Sequence, residues 1–339
     1  MRIAVMGCKS YPPGKFAGGI ETYVLETIQR MKAQFDFQVL TMEGQGSGVH
    51  TVPYLPTRIT RTPSYNFFSM MNLGKISPDL IHAHESWAGL WAAFRPDKKV
   101  PVLLTMHALD SLQPEWKMFK LPFSMIERSA LAVADRVLVP SEYTRLQLVQ
   151  YRGLAYEKCE VLPNGVDVKK YQSKKKPKDF SILFSGRLTE SKNLFSLLEA
   201  MRRLPDFKLK VAGTGPIEGQ LKKVAPKNVE FLGFRKDIPN LLADAELFVL
   251  PSFSEGSPFS VLEAMAAGKA VVASGVGGVP EMVVDTGVLT GTDVNSIVDG
   301  IIEAKSNAKK FGEMAQRRAQ GFDWEIICKK LAKIYEGMV

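Results

Sequence analysis

Strand-sized apolar runs alternate with helical patterns from one end of this chain to the other. Residues 2–7, 37–42, 79–84, 100–107, 136–140, 180–184, 208–212, 229–232, 247–250 and 269–273 are apolar and too short to be helices. Between them lie amphipathic stretches, such as the one that sets Ile20, Val24, Ile28 and Met31 on one face. This alternation leaves an α/β architecture with parallel sheets as the consistent solution. In such sheets ligands collect beyond the C-terminal ends of the strands, so the loops there carry the functional question.

With 339 residues the chain can build two cores. The polar, lysine-rich run 169–178 reads as a solvated linker. The expected organisation is a first domain over 1–165 together with a closing helix over 323–339, and a second domain over 166–322. No apolar run reaches the ~18 residues of a membrane span. Residues 1–7 form a strand pattern rather than a signal peptide, so a cytoplasmic location is expected. Cys8, Cys159 and Cys328 are too scattered for a disulfide framework or a metal site. The net charge of +9 favours anionic partners, whether nucleotide diphosphates, lipid head groups or nucleic acid. No helix-turn-helix, zinc-finger or RNA-binding signature supports the last.

The richest stretch is 250–282, LPSFSEGSPFSVLEAMAAGKAVVASGVGGVPEM. A strand ends near Leu250, and a helix is expected over 258–267, capped by Ser257, with Pro258 in its first turn and Gly268 ending it. Backbone N–H groups from Gly256, Ser257 and Phe259 then form an anion site. Glu255 before the helix and Glu263 within it add acceptors for hydroxyls. A second charged cluster lies at Arg187 and Lys192, beside a helix expected to begin at Asn193. Cations at a helix N-terminus oppose the macrodipole, so an anion is expected to offset them.

These motifs resemble those of the retaining family-4 glycosyltransferases. The match comprises Glu255, Glu263-Ala264-Met265-Ala266, Gly268 and Gly277-Gly278-Val279-Pro280-Glu281. It extends to Gly18-Gly19 and Glu21 before the first helix, Thr105-Met106-His107, the VLPNGVD run at 161–167, and Gly186-Arg187-Leu188 with Lys192. The loop reads EGSP where EGFG is commonest, and Ala108 follows His107 where Asp or Gly is frequent. The resemblance implies the GT-B fold: two Rossmann-like domains and a C-terminal helix returning to the first. It implies transfer of a sugar from a nucleotide-diphosphate donor, UDP favoured over GDP, to an acceptor hydroxyl with retention at the anomeric carbon. It assigns Arg187 and Lys192 to the diphosphate, Gly18 and Gly19 to the same group, and Glu255 to the sugar hydroxyls. Glu263 falls to the ribose, Gly233 and Phe234 to the base, and His107 to the sugar. No cofactor or metal is implied.

Position alone leaves Gly18-Gly19 open as a tight turn and His107 as a structural histidine. His82 and His84 lack a third ligand for a metal pair. Gly213-Thr214-Gly215 begins a dinucleotide fingerprint but lacks its third glycine. Segment 57–75 sets Arg58, Arg61 and Lys75 beside Tyr65, Phe67 and Phe68. It reads either as a peripheral membrane surface, with 116–128 contributing, or as a helix whose apolar face is core. A lipid or glycolipid acceptor is favoured over a soluble saccharide. The rival readings are a nucleotide-sugar epimerase on the same fold and a non-catalytic binding module.

Overall fold

A computed structural model describes residues 1–14, 18–57, 59–112, 118–173 and 180–339. The chain forms two compact units, Met1–Asn164 with Trp324–Val339, and Gly165–Asp323.

The first unit contains β1 (Arg2–Met6), β2 (Ser10–Tyr11), β3 (Asp36–Thr41), β4 (Glu43–Gly44), β5 (Val49–Thr51), β6 (Leu80–His84), β7 (Val102–Thr105), β8 (Arg136–Val139) and β9 (Cys159–Val161). Seven of them make one sheet in the order β5-β3-β1-β6-β7-β8-β9, every pair parallel. β2 and β4 form a separate two-stranded ribbon. All four residues of β7 and all five of β6 are buried, as strands covered by helices on both faces require. The closing helix Trp324–Glu336 buries Trp324, Ile327, Leu331 and Tyr335 against this unit. Trp324 meets Tyr23 of the helix Gly19–Met31 edge-on, with ring centroids 5.6 Å apart.

The second unit holds β10 (Ser181–Ser185), β11 (Lys208–Ala212), β12 (Val229–Gly233), β13 (Leu247–Leu250), β14 (Ala270–Ser274) and β15 (Gly287–Thr290). Its order is β12-β11-β10-β13-β14-β15, again fully parallel. Both sheets therefore start in the middle, run outward to one edge, then cross back and run to the other. The crossing opens a crevice beside the first strand, between β1 and β6 in one unit and between β10 and β13 in the other.

Three local expectations change. The helix expected over 258–267 spans Phe259–Ala266, with Pro258 at its N-cap. Ser257 does not cap it; its hydroxyl faces the Met282 sulfur at 3.7 Å. The linker reading of 169–178 fails at its start, where Val168–Tyr171 is a helix capped by the Asp167 carboxylate. Residues 174–178 of that run lie outside the described residues, as does Arg58. The helix within 57–75 spans Arg61–Ile76 and turns its aromatics inward. Tyr65 is fully buried, Phe68 and Met70 pack on the core, and Phe67 lies edge-on to Phe68 and Trp91. Phe67 and Phe68 are therefore not an exposed membrane face. The exposed apolar side chains nearby are instead Ile59, Met71, Met118, Leu121 and Met125.

Candidate active site

In the second unit, five loops converge beyond the strand ends. The loop after β10 carries Arg187 and Lys192, and the loop after β13 carries Glu255 through Pro258. Backbone contacts lock these loops together. Phe253 N donates to Ser191 O at 2.8 Å, Leu188 N to Thr214 O at 3.0 Å, and Gly213 N to Gly233 O at 2.7 Å. Gly213-Thr214-Gly215 thus has a role without a dinucleotide: it buttresses the loop of Arg187. A Cβ on Gly213 would lie 1.9 Å from the Gly186 carbonyl oxygen. Gly277, at φ +58°, is more constrained still, since a Cβ there would lie 1.7 Å from the Glu255 carbonyl oxygen. Gly278 N donates to Gly256 O at 3.1 Å. The GG-PE turn is therefore the floor on which the Glu255 loop rests.

Lys192 Nζ lies 2.5 Å from Glu255 Oε1, with 22% of the Lys192 side chain and 9% of the Glu255 side chain exposed. Ser252 Oγ donates to the same oxygen at 2.6 Å. The charge of Lys192 is thus offset from within the protein, not only by an incoming anion as its position suggested. Oε2 of Glu255 takes no partner among the described residues, leaving that oxygen open to a hydroxyl. Arg187 is exposed. Glu263 accepts from the Tyr171 hydroxyl at 2.6 Å, which fixes its carboxylate. Gly233 is left-handed, and Phe234 beside it is 68% exposed. Asn193 holds the base of the site: at φ +55° and buried, it donates from Nδ2 to Pro251 O and Thr292 O, at 3.0 and 2.7 Å. Sequence reading missed Asn193, Ser252 and Tyr171. The spacing S-x-x-E was a usable signal for Ser252; the other two partners are distant in sequence.

The first unit shows the corresponding crevice. Gly7 at the end of β1 has φ +96°, and a Cβ there would come within 2.1 Å of the His84 carbonyl oxygen at the end of β6. Gly18 is the N-cap of the helix Gly19–Met31, and Glu21 bonds backbone N–H groups of Lys9 (3.1 Å) and Gly18. This is half of a capping box, and it fixes the loop leading to Gly18-Gly19. Burial raises the Glu21 carboxyl above its usual range, partly offset by those N–H donors.

Beside this loop sits a histidine cluster. His82 Nδ1 meets the Tyr335 hydroxyl and Nε2 meets Thr105 Oγ1, both at 2.7 Å. His84 Nδ1 meets His107 Nε2 at 3.0 Å, and Tyr23 lies edge-on to both rings. Burial depresses all three, His82 to about 3, His107 to about 4, and His84 well below the usual histidine range. They are neutral at pH 7 and share their protons as hydrogen bonds. Both His82 nitrogens are occupied, and no three His, Cys, Asp or Glu groups among the described residues are placed to hold a metal.

Glu85 follows His84 directly, at φ +68°, a left-handed position that costs a non-glycine residue about 1 kcal/mol or more. It lines a cavity of about 390 Å³ with Gly7, Lys9, His84 and Trp87. The far walls come from the segment before Asn66 and from the helix Lys120–Val133. Sequence reading missed Glu85; its signal was the position one residue past a strand end.

Comparison with known proteins decides the family. Residues 166–320 match Glycosyl transferases group 1, and residues 17–170 match Glycosyltransferase Family 4. The chain belongs to the family-4 glycosyltransferases. It is 28% identical to alpha-maltose-1-phosphate synthase of Mycolicibacterium smegmatis, over 99% of each chain. It is also 28% identical to UDP-Gal:alpha-D-GlcNAc-diphosphoundecaprenol alpha-1,3-galactosyltransferase of Escherichia coli, over 61% of this chain and 60% of that one. Sucrose-phosphate synthase of Thermosynechococcus elongatus shares the fold, at TM-score 0.86 and 22% identity over 99% of this chain and 98% of that one. The glycosyltransferase is thus of GT-B architecture. No helix among its described residues is long and apolar enough to cross a membrane.

Proposed function

We propose that this glycosyltransferase moves a sugar from a UDP-sugar, in preference to a GDP-sugar, onto an acceptor hydroxyl with retention of configuration. The observation that carries the reading is the crevice between β10 and β13, where Lys192 of the loop that also carries Arg187 pairs with Glu255 of the loop leading into the helix Phe259–Ala266. Departure of a nucleoside diphosphate builds negative charge on the β-phosphate. Arg187, Lys192 and the N–H groups of Gly256, Ser257 and Phe259 meet that charge, and do so without a divalent metal. Glu255 takes sugar hydroxyls on its open Oε2, and Glu263, held by Tyr171, takes the ribose. The backbone at Gly233 and Phe234 receives the base. Gly18 and Gly19 also contact the diphosphate. The proton-sharing bond to His84 orients His107 to contact the donor sugar. The departing phosphate accepts the acceptor's proton; no side chain among the described residues is assigned as a covalent nucleophile.

The acceptor is a lipid or glycolipid, presented at a membrane that the cytoplasmic protein touches peripherally. The exposed apolar side chains Met118, Leu121 and Met125 support this, as does the lipid-linked substrate in the name of the E. coli relative. A UDP lean and retention draw on the same relative, since a UDP-linked α-galactose giving an α-1,3 product keeps its configuration. The test is incubation of the purified chain, free of metal, with UDP- and GDP-sugars and lipid-linked or soluble acceptors. UDP release with an α-linked product supports the reading. Conversion of the donor sugar without any acceptor would instead identify an epimerase.

A further inference from the structure

We propose that the buried cluster of Ser111, Glu127 and Arg152 is a positioning clamp: it fixes the loop after β7 so that His107 keeps the ring orientation with which it meets the donor sugar. The inference rests on the transferase reading and adds residues that act on the sugar only through His107.

The loop leaves β7 after Thr105 and carries His107 two residues on. It is tied at both ends. At its start Met106 N donates to Leu138 O of β8 at 2.9 Å. At its end Ser111 gives both of its donors to one carboxylate, N to Glu127 Oε1 at 3.0 Å and Oγ to Glu127 Oε2 at 2.8 Å. Between the ties Leu109 sinks into the core, which leaves the loop little slack. The carboxylate is itself held. Glu127 belongs to the helix Lys120–Val133, and Arg152 ends the helix Glu142–Arg152. Arg152 donates from Nε to Glu127 Oε2 at 2.7 Å. Its Nη2 lies 2.6 Å from the same oxygen and also donates to Ser111 Oγ. The Ser111 hydroxyl thus closes a ring of three residues drawn from one loop and two helices.

Burial decides what this ring is for. The Glu127 side chain is 0% exposed and that of Arg152 6%. Two charges taken out of water gain little net stability from their attraction, because the desolvation cost is of similar size. A simple staple between the two helices would be served as well by apolar side chains. What a fully bonded buried network adds is one geometry in place of several. The loop is the element that needs it. His107 meets His84 at 3.0 Å, with the two ring planes 18° apart. Such a bond weakens steeply once its donor and acceptor lose alignment. His82, by contrast, is held independently of the loop's far end, by Tyr335 and Thr105.

The test labels the histidines of the full chain with nitrogen-15 and reads their imidazoles by long-range proton–nitrogen correlation at pH 7. His50→Gln, His82→Gln, His84→Gln and His107→Gln assign the signals. In the parent, His84 and His107 should each show one tautomer, with the two nitrogen signals of each ring well separated. Ser111→Ala removes the hydroxyl and leaves the Glu127–Arg152 pair in place across the two helices. Glu127→Gln keeps the shape and removes the charge. In both variants the paired signals of His107 and His84 should collapse toward a tautomer average while the pattern of His82 stays as in the parent; either variant serves if the other fails to fold. An unchanged His107 pattern, even with a lower Tm, would show a merely structural network and overturn the clamp. A change that includes His82 would show general loosening and overturn it too. UDP binding is measured on the same samples and should be equal in the parent and both variants. A loss as large as that of Arg187→Ala would show that the network serves more than His107, against the proposal. If the parent binds no UDP, the transferase reading falls separately, and the imidazole spectra still decide whether the clamp sets His107.

Discussion

The two units share a sheet plan and differ at its tip. Each runs outward from a central first strand and returns to leave one crevice. In each a left-handed glycine, Gly7 or Gly277, presses against the carbonyl of a residue at that crevice, His84 or Glu255. On these like frames the chain places unlike chemistry. The second unit has Arg187, Lys192 and Glu255 and no histidine. The first has all four histidines, His50, His82, His84 and His107, and a cavity with apolar walls. The same topology therefore carries a charged crevice in the second unit and, in the first, a buried histidine cluster beside a largely apolar cavity. What distinguishes them is a handful of loop residues, which is how one fold serves many reactions.

The largest expected effect of a single substitution tests the floor of the charged site. Gly277→Ala forces the Glu255 loop to move and should cost the second unit about 3 kcal/mol or more. All four tryptophans, Trp87, Trp91, Trp116 and Trp324, belong to the first unit. Tryptophan fluorescence should therefore report an unchanged first unit while far-UV circular dichroism shows the loss. A matching tryptophan shift would show that the units do not unfold separately.

Acid should act the other way round. The folded-state values of His82, His84 and His107 lie below the unfolded value, so the unfolded chain binds more protons between about pH 6.5 and 4. Stability of the first unit is therefore full above pH 6.5 and lost as pH falls. At pH 5 the loss is about 2 kcal/mol for each histidine kept neutral. The tryptophan-detected Tm should drop steeply from pH 7 to pH 5. A flat profile would remove the neutral cluster.

Arg187→Ala should weaken UDP about tenfold, since a charged hydrogen bond to phosphate contributes about 1.5–3 kcal/mol and this guanidinium is exposed. Lys192→Ala should cost more, because it also strands Glu255. Equal affinities in both variants and the parent would break the assignment of the charged crevice.

The last pair of changes separates packing from surface in the first unit. Phe67→Ser should destabilise the first unit by about 2–3 kcal/mol, because Phe67 packs on Trp91. Met118→Ser with Leu121→Ser should leave Tm unchanged and reduce co-sedimentation with anionic vesicles. The reverse pattern would restore segment 57–75 as the membrane face.

Much of this architecture was legible in the sequence, because alternating apolar runs and glycine-marked strand ends fix parallel sheets and their loops. The charges of the second unit were legible for a related reason: Arg187, Lys192, Glu255 and Glu263 sit at fixed offsets within local motifs. What escaped was tertiary. Tyr171 lies 92 positions from the carboxylate it holds. The direction of Phe67 is set by packing against Trp91 and that of Phe68 by packing against the core, which composition does not encode. Ser257 looked like a cap because Pro258 followed it. The observed helix starts one residue later, with Pro258 itself at the N-cap.

The most direct test of the central claim is titration calorimetry of UDP, GDP and ADP into the full chain without metal, repeated with Arg187→Ala and Lys192→Ala. The account predicts that UDP binds most tightly and that each variant loses affinity while the tryptophan-detected Tm stays the same. No heat with any nucleotide, or equal binding in the parent and both variants, would contradict it.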